Sequence, residues 1–230
     1  MIGIIGAMDE EVSKLIEKMD AAEVIEKAAM QFNRGTIDGK ELVIVKSGIG
    51  KVNAAICTQI LVCEFGVDSI INTGIAGSLD SAIDIGDIVL STDALQHDVD
   101  AVAFGYPPGQ IPRMDTLSFA ADDKLADIAK ECCQRVCSDI NVFKGRVVSG
   151  DQFIADKAVK ESIIQKFGGL CTEMEGAAIA QTAYLNNVPF LIIRAISDKA
   201  DDSASLDYPE FERKAIENSV KLLSEMIKCM

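Results

Sequence analysis

The sequence predicts an α/β protein whose mixed sheet is covered by helices on both faces. Three observations predict it. Short β-branched or apolar runs recur at residues 2–5, 69–72, 87–90, 143–148 and 190–196. Segments of helical character separate most of them, the alternation expected of parallel βα units. Two further runs, 32–37 and 42–45, flank Asp38-Gly39, a two-residue hairpin signal that adds antiparallel pairing. With 230 residues, 49% of them hydrophobic, the chain can bury a sizeable core as one α/β domain spanning 1–230.

The elements follow in order. Residues 2–5 read as a buried strand closed by Gly6. A helix from about residue 7 to Met19 follows, with Asp9, Glu10 and Glu11 in its first turn, where the helix dipole favours acids. That loop also follows a central-type strand, the place where α/β proteins bind ligands. After the hairpin comes Ser47-Gly48-Ile49-Gly50-Lys51. It is not a P-loop, because Val45 and Val52 stand where that motif needs Gly and Ser or Thr. A glycine turn can instead bring backbone close to a small ligand.

A helix is predicted over 53–65 and a strand over 69–72. The small residues from Thr73 to Ser78 read as a wall after the strand. The segment 96–115 is irregular, with Gly105, Pro107, Pro108, Gly109 and Pro112. It carries Phe104, Tyr106 and the single histidine, His97, which is read as structural or interfacial. Helices are expected over 122–137 and 156–167, and an amphipathic one over 208–227. Between them, the strand 143–148 runs out at Ser149-Gly150-Asp151-Gln152-Phe153.

Two stretches stand out chemically. In Cys171-Thr172-Glu173-Met174-Glu175-Gly176-Ala177-Ala178, two carboxylates precede a small-residue helical run. They suit either an acidic helix start or a carboxylate site for a hydroxyl-rich ligand. The apolar strand 190–196 contains Arg194 and exits at Ser197-Asp198, and charges so placed call for partners. Glu11, Glu175 and Asp198 all lie at or near strand–helix junctions. With an arginine and no metal-ligand set, they suggest acid–base work on a neutral polyol.

The bulk properties exclude other classes. Twenty-two basic against thirty-six acidic residues give a net charge of −14, which would repel nucleic acid and an anionic membrane surface. No apolar run approaches a membrane span, and the N-terminus does not read as a secretory signal, so a cytoplasmic location is expected. The seven cysteines are expected to be free thiols. Cys132, Cys133 and Cys137 cluster on one helix without the further ligands a zinc site needs.

Seven motifs occur in sequence: residues 4–12 (IIGAMDEEV), 46–53 (KSGIGKVN), 72–77 (NTGIAG), 103–106 (AFGY), 149–151 (SGD), 173–175 (EME) and 194–198 (RAISD). Together they resemble the 5'-methylthioadenosine/S-adenosylhomocysteine nucleosidases of the purine nucleoside and uridine phosphorylase superfamily, over essentially the whole chain. The resemblance implies a three-layer α/β/α sandwich around a mixed sheet that curls toward a barrel. It implies hydrolysis of the bond between adenine and a 5'-thio-substituted ribose, with water as nucleophile, no cofactor and no metal.

By the same resemblance, Asp198 protonates adenine N7, oriented by Ser197. Glu175 grips the ribose hydroxyls, Glu11 activates water, and Arg194 helps hold Glu11. Phe153 stacks on adenine, whose edge the Ile154 backbone reads, and Met174 packs against the sugar. Ala7, Ile75, Ala76, Gly77 and Glu173 match further substrate contacts. Ile49, Phe104, Tyr106, Pro112 and Tyr208 match the pocket for the 5' group. The family is usually homodimeric, the partner covering part of the 5' end. Ile75 stands where serine is common and can still offer its backbone, while Ala101 stands where valine is common and leaves the 5' pocket slightly roomier, which bears on the preferred 5' substituent. Phosphorolysis, cleavage of aminodeoxyfutalosine, and nucleoside sensing without turnover are the competing readings.

Overall fold

A computed structural model describes residues 1–201 and 204–230, leaving aside the side chains of 205–210. Its strands are β1 (Ile2–Gly6), β2 (Asp20–Lys27), β3 (Met30–Ile37), β4 (Lys40–Lys46), β5 (Ser69–Ser78), β6 (Ile88–Gln96), β7 (Phe119–Ala120), β8 (Val142–Ser149), β9 (Cys171–Glu173) and β10 (Phe190–Asp198). The helices are α1 (Asp9–Ile16), α2 (Lys51–Ile60), α3 (Asp123–Val136), α4 (Lys157–Phe167), α5 (Gly176–Leu185) and α6 (Ala204–Cys229).

The strands form a ten-stranded mixed sheet ordered β10-β6-β8-β9-β5-β1-β4-β3-β2, with β7 beside β6. β10 also pairs with β5, so β10, β6, β8, β9 and β5 close into a barrel-like ring, and β1 to β4 extend from it. Closure removes two edges that would otherwise need covering. β5 and β10 are buried along their whole length, which is why their sequences carry apolar and small residues without alternation.

Helices cover both faces. Leu15 of α1, Ala129 of α3 and Leu223 of α6 join one core cluster, with Ile4, Ile71 and Ile193 of the sheet. Ala54 of α2 and Ile179 of α5 join a second, with Ile5, Ile70 and Ile192. Successive strand residues thus feed opposite layers, as the pleat requires. α5 is buried on nearly every side because Gly176, Ala177, Ala178 and Ala180 are small enough to press against the sheet. α3 and α4 start at Asp122 and Asp156, whose carboxylates accept from backbone N–H groups of the first turn.

Several boundaries differ from the sequence-based expectation. Residues 73–78, read as a wall after the strand, are the second half of β5, paired with β10 on one side and β9 on the other. β6 continues to Gln96, across a register shift between Ser91 and Ala94. α1 ends at Ile16, and α2 begins at Lys51 and runs into a π-helical turn, Leu61–Phe65, that Gly66 terminates at φ 62°. The sequence reading has no counterpart for β2 and β9. β2 is an exposed, charged edge strand without an apolar alternation, and β9 is three residues long. All seven cysteines are free thiols, five of them buried.

Candidate active site

The parallel strands β1, β4, β5 and β10 end on the same side of the sheet. Their exits, with the turn between β9 and α5, surround a cavity of about 560 Å³. Ala7, Glu11, Ile49, Ile75, Ala76, Gly77, Phe153, Glu173, Met174, Glu175, Arg194, Ser197 and Asp198 all line it. Met8 and Thr172 complete the lining. Ile154 lies in a smaller adjoining recess together with Phe153, Met174 and Asp198.

Glu11 is reached from the first turn of α1. Its carboxylate folds back on the helix start, accepting from the N–H of Ala7 at 2.6 Å and of Met8 at 3.0 Å, and reaches across to the N–H of Ile75 at 3.3 Å. Three amides from two elements therefore fix its orientation. Burial pushes its pKa above the ordinary 4.5, while the Arg194 charge and these amides oppose the rise.

Arg194 is fully buried at the centre of the site. It donates to Asn72 Oδ1 at 2.5 Å and to Glu173, and stands 3.8 Å from Glu175. Burial works against its charge, but Glu173, Glu175 and Glu11 hold it protonated. Its ion pairs are with Glu173 and Glu175, so its effect on Glu11 runs through charge rather than a direct bond. The approach is close because β5 has Gly74 there: a Cβ at that position would lie 2.1 Å from Arg194 Nη1 and 2.6 Å from Glu11 Oε1.

The two glutamates of the EME motif have different surroundings. Glu173 is saturated, accepting from Ser149 Oγ, from Arg194 and from the N–H groups of Glu175 at 3.1 Å and Gly176 at 2.8 Å. Glu175, at the start of α5, accepts from the Gly50 N–H at 2.8 Å through Oε1. Its Oε2 has only the looser Arg194 contact, so it keeps capacity for a ligand hydroxyl. Burial, and then the Glu173 charge, push its pKa up to about 7.

Asp198 ends β10. Its Oδ2 accepts from Ser197 Oγ at 2.8 Å and its Oδ1 from the Ala200 N–H at 2.8 Å. Gly77 makes room for it, since a Cβ there would lie 2.8 Å from Oδ1. Phe153 stands at the rim, half exposed, as does Ile49.

Phe104, Tyr106 and Pro112 do not line the cavity of their own chain. They sit in the segment between β6 and β7, with Phe104 84% exposed and Pro112 also at the surface. The Tyr208 side chain lies outside the described residues. His97 is away from the cavity, packed under Gly150 and tilted against Phe167, and burial lowers its pKa. Among the described residues, no group of three or more His, Cys, Asp or Glu side chains is arranged to hold a metal ion.

Met8 and Thr172 in the lining, and Asn72, Ser149, Gly50 and Ala200 behind it, were not singled out from the sequence as site residues. The available signals were polar Asn72 and Ser149 at or near the ends of apolar runs, and glycines where two charged groups approach.

The model of the phosphorylase superfamily matches residues 1–228. Over 231 aligned residues, covering both chains completely, the sequence is 46% identical to the 5'-methylthioadenosine/S-adenosylhomocysteine nucleosidase of Staphylococcus carnosus. The crystal structure of the Neisseria meningitidis nucleosidase of that name, in complex with methylthio-immucillin-A, superposes with a TM-score of 0.95 at 40% identity, covering 100% of this chain and 99% of the other. The futalosine hydrolase of Helicobacter pylori superposes with a TM-score of 0.94 at 34% identity, covering 100% and 97%.

Proposed function

The chain belongs to the phosphorylase superfamily and, within it, to the 5'-methylthioadenosine/S-adenosylhomocysteine nucleosidases, and from that premise we propose that it hydrolyses the N-glycosidic bond of 5'-methylthioadenosine and S-adenosylhomocysteine, and also of 5'-deoxyadenosine. The products are adenine and the 5'-substituted ribose. The observation that carries the proposal is the meeting of Glu11, Glu175 and Asp198, distant in sequence, around one cavity.

Adenine anion is a poor leaving group, so a proton must reach N7 as the bond breaks. Asp198 supplies it, held by Ser197 and the Ala200 amide. General acid catalysis of this kind contributes roughly 100- to 10,000-fold. The ribose then takes on oxocarbenium character. Glu175 binds its hydroxyls and steadies the positive charge, while Arg194 and Glu173 keep Glu175 in place. Glu11 accepts a proton from the attacking water. Burial raises its pKa and so makes it a stronger base than an exposed carboxylate. Phe153 covers the adenine and Met174 the sugar.

Water rather than phosphate is the nucleophile. A bound phosphate would need cationic ligands near the ribose, whereas the first loop offers Asp9, Glu10 and Glu11. The whole chain forms one nucleosidase domain and acts in the cytoplasm as a homodimer, without a cofactor. Phe104, exposed on its own chain, covers the 5' end of the partner's site together with Tyr106 and Pro112. Val52 and Ile56 of α2 and Val102 beside Phe104 are also exposed, and they supply the apolar side chains a subunit interface needs.

The test is adenine release from a panel of 5'-substituted adenosines in phosphate-free buffer. Undiminished release is expected, and strict phosphate dependence would overturn the hydrolase reading. Aminodeoxyfutalosine belongs in the panel, because the chain superposes along its whole length on a futalosine hydrolase. Binding of intact methylthioadenosine with no adenine after long incubation would favour a sensor.

A further inference from the structure

A ring of contacts just outside the cavity has no part in the chemistry above. Lys51, the first residue of α2, reaches Asp98 Oδ1 at 2.6 Å and Gln96 Oε1 at 2.9 Å through its ammonium. Asp98 Oδ2 accepts from the Asp151 N–H at 3.0 Å. The Asp151 carboxylate returns to α2 and accepts from the Lys51 N–H at 2.8 Å. Three segments far apart in sequence are thus closed into one loop of charge-assisted bonds. The Lys51 and Asp98 side chains are each only 18% exposed, so their pair is better shielded than a surface bridge.

Each segment of this ring leads directly to the cavity. Next to Lys51, the Gly50 N–H donates to Glu175 Oε1 at 2.8 Å. Gly50 aims that N–H from a backbone at φ +96°, which favours glycine, and a Cβ there would lie 3.2 Å from Asp151 Oδ1. Two adjacent amides at the start of α2 therefore hold two carboxylates, Glu175 inside the cavity and Asp151 outside it. On the second segment, Asp151 lies two residues before Phe153 at the rim. Ser149, two residues before Asp151, donates to Glu173.

We propose that Asp98 and Lys51, with Asp151, are positioning residues that hold the Gly50 amide on Glu175 and the Phe153 turn on the rim, and so set nucleoside affinity. The inference rests on the nucleosidase reading for its choice of substrate. The contacts it controls are made to bound substrate before reaction as well as during it, so their loss raises KM more than it lowers kcat.

The experiment compares wild type, Asp98→Ala, Lys51→Met and Lys51→Arg with 5'-methylthioadenosine, reading adenine release and, by calorimetry, the Kd of the same nucleoside. Asp98→Ala and Lys51→Met should each raise KM and Kd about tenfold while kcat stays within about threefold of wild type. Lys51→Arg, which can still bridge Asp98 and Gln96, should recover most of the affinity. KM and Kd within twofold of wild type in both disruptive variants, even with a lowered Tm, would overturn the proposal. If wild type binds the nucleoside without releasing adenine, the nucleosidase reading fails and the ratio of Kd values alone judges the ring. If wild type does not bind it, both fall.

Discussion

Replacing Gly74 by Ala tests how tightly the charged centre is built. The added Cβ would lie 2.1 Å from Arg194 Nη1 and 2.6 Å from Glu11 Oε1. Non-bonded heavy atoms settle at about 3.5–4.0 Å, so more than 1 Å of overlap must be relieved. Neither neighbour can retreat freely. Arg194 is tied to Asn72 and Glu173, and Glu11 to the amides of Ala7, Met8 and Ile75. Overpacking costs about 1–3 kcal/mol, and a guanidinium driven off its buried partner costs about 3–5 kcal/mol. A loss of about 3 kcal/mol is expected, and at about 2–4 °C per kcal/mol for a chain of this size the Tm should fall by roughly 6–12 °C. Turnover should fall by about 100-fold or more, because Glu11 moves by about 1 Å. The comparator is Gly39→Ala in the hairpin turn. Gly39 has φ +76° and nothing within 4 Å of its would-be Cβ, so it bears only the left-handed backbone penalty of about 1–2 kcal/mol. Thermal unfolding and adenine release of both variants decide the matter. If Gly74→Ala unfolds no earlier than Gly39→Ala and keeps more than half of wild-type turnover, the crowding described here is wrong.

Asp198→Asn should lower kcat by roughly 100- to 10,000-fold while the Kd for methylthioadenosine changes little, since the amide still donates a hydrogen bond but cannot transfer the proton; steady-state rates and calorimetry on the variant check this, and wild-type-like turnover would refute the role of Asp198. Glu173→Gln removes the closest anionic partner of buried Arg194 and should cost about 3 kcal/mol, read as a lowered denaturation midpoint in urea, while adenine release reports any disturbance of Glu175. The pH dependence has a definite sign. Glu175 is pushed up to about 7 in the folded protein from an ordinary 4.5, so between those values the folded state holds a proton that the unfolded chain has lost. Its contribution to stability is therefore complete below about pH 4.5 and declines as pH rises through about 7, by roughly 3 kcal/mol in all. Tm measured across that range should fall less steeply in Glu175→Gln than in wild type, and parallel curves would remove the assignment.

The sequence by itself determined the class of fold, because it is written in local patterns. The β-branched runs, the Asp38-Gly39 turn and the amphipathic pattern of the last helix act over a few residues and need no knowledge of the rest of the chain. It also marked Glu11, Glu175, Arg194 and Asp198, because charges beside apolar strands stand out wherever they end up. Only the tertiary structure decided the pairing of β5 with β10 that closes the barrel and makes Thr73–Ser78, read as a wall after the strand, part of the strand itself. Only it separated Glu173, spent on Arg194 and Ser149, from Glu175, left with an oxygen to offer, although both stand in one tripeptide. It alone took Phe104 away from its own chain's cavity and joined Lys51, Asp98 and Asp151. The physical reason is the same throughout: a hydrogen bond or ion pair depends on distances of 3 Å between atoms that the chain separates by tens of residues, and residues such as Gly74 acquire their meaning only from what folding brings against them.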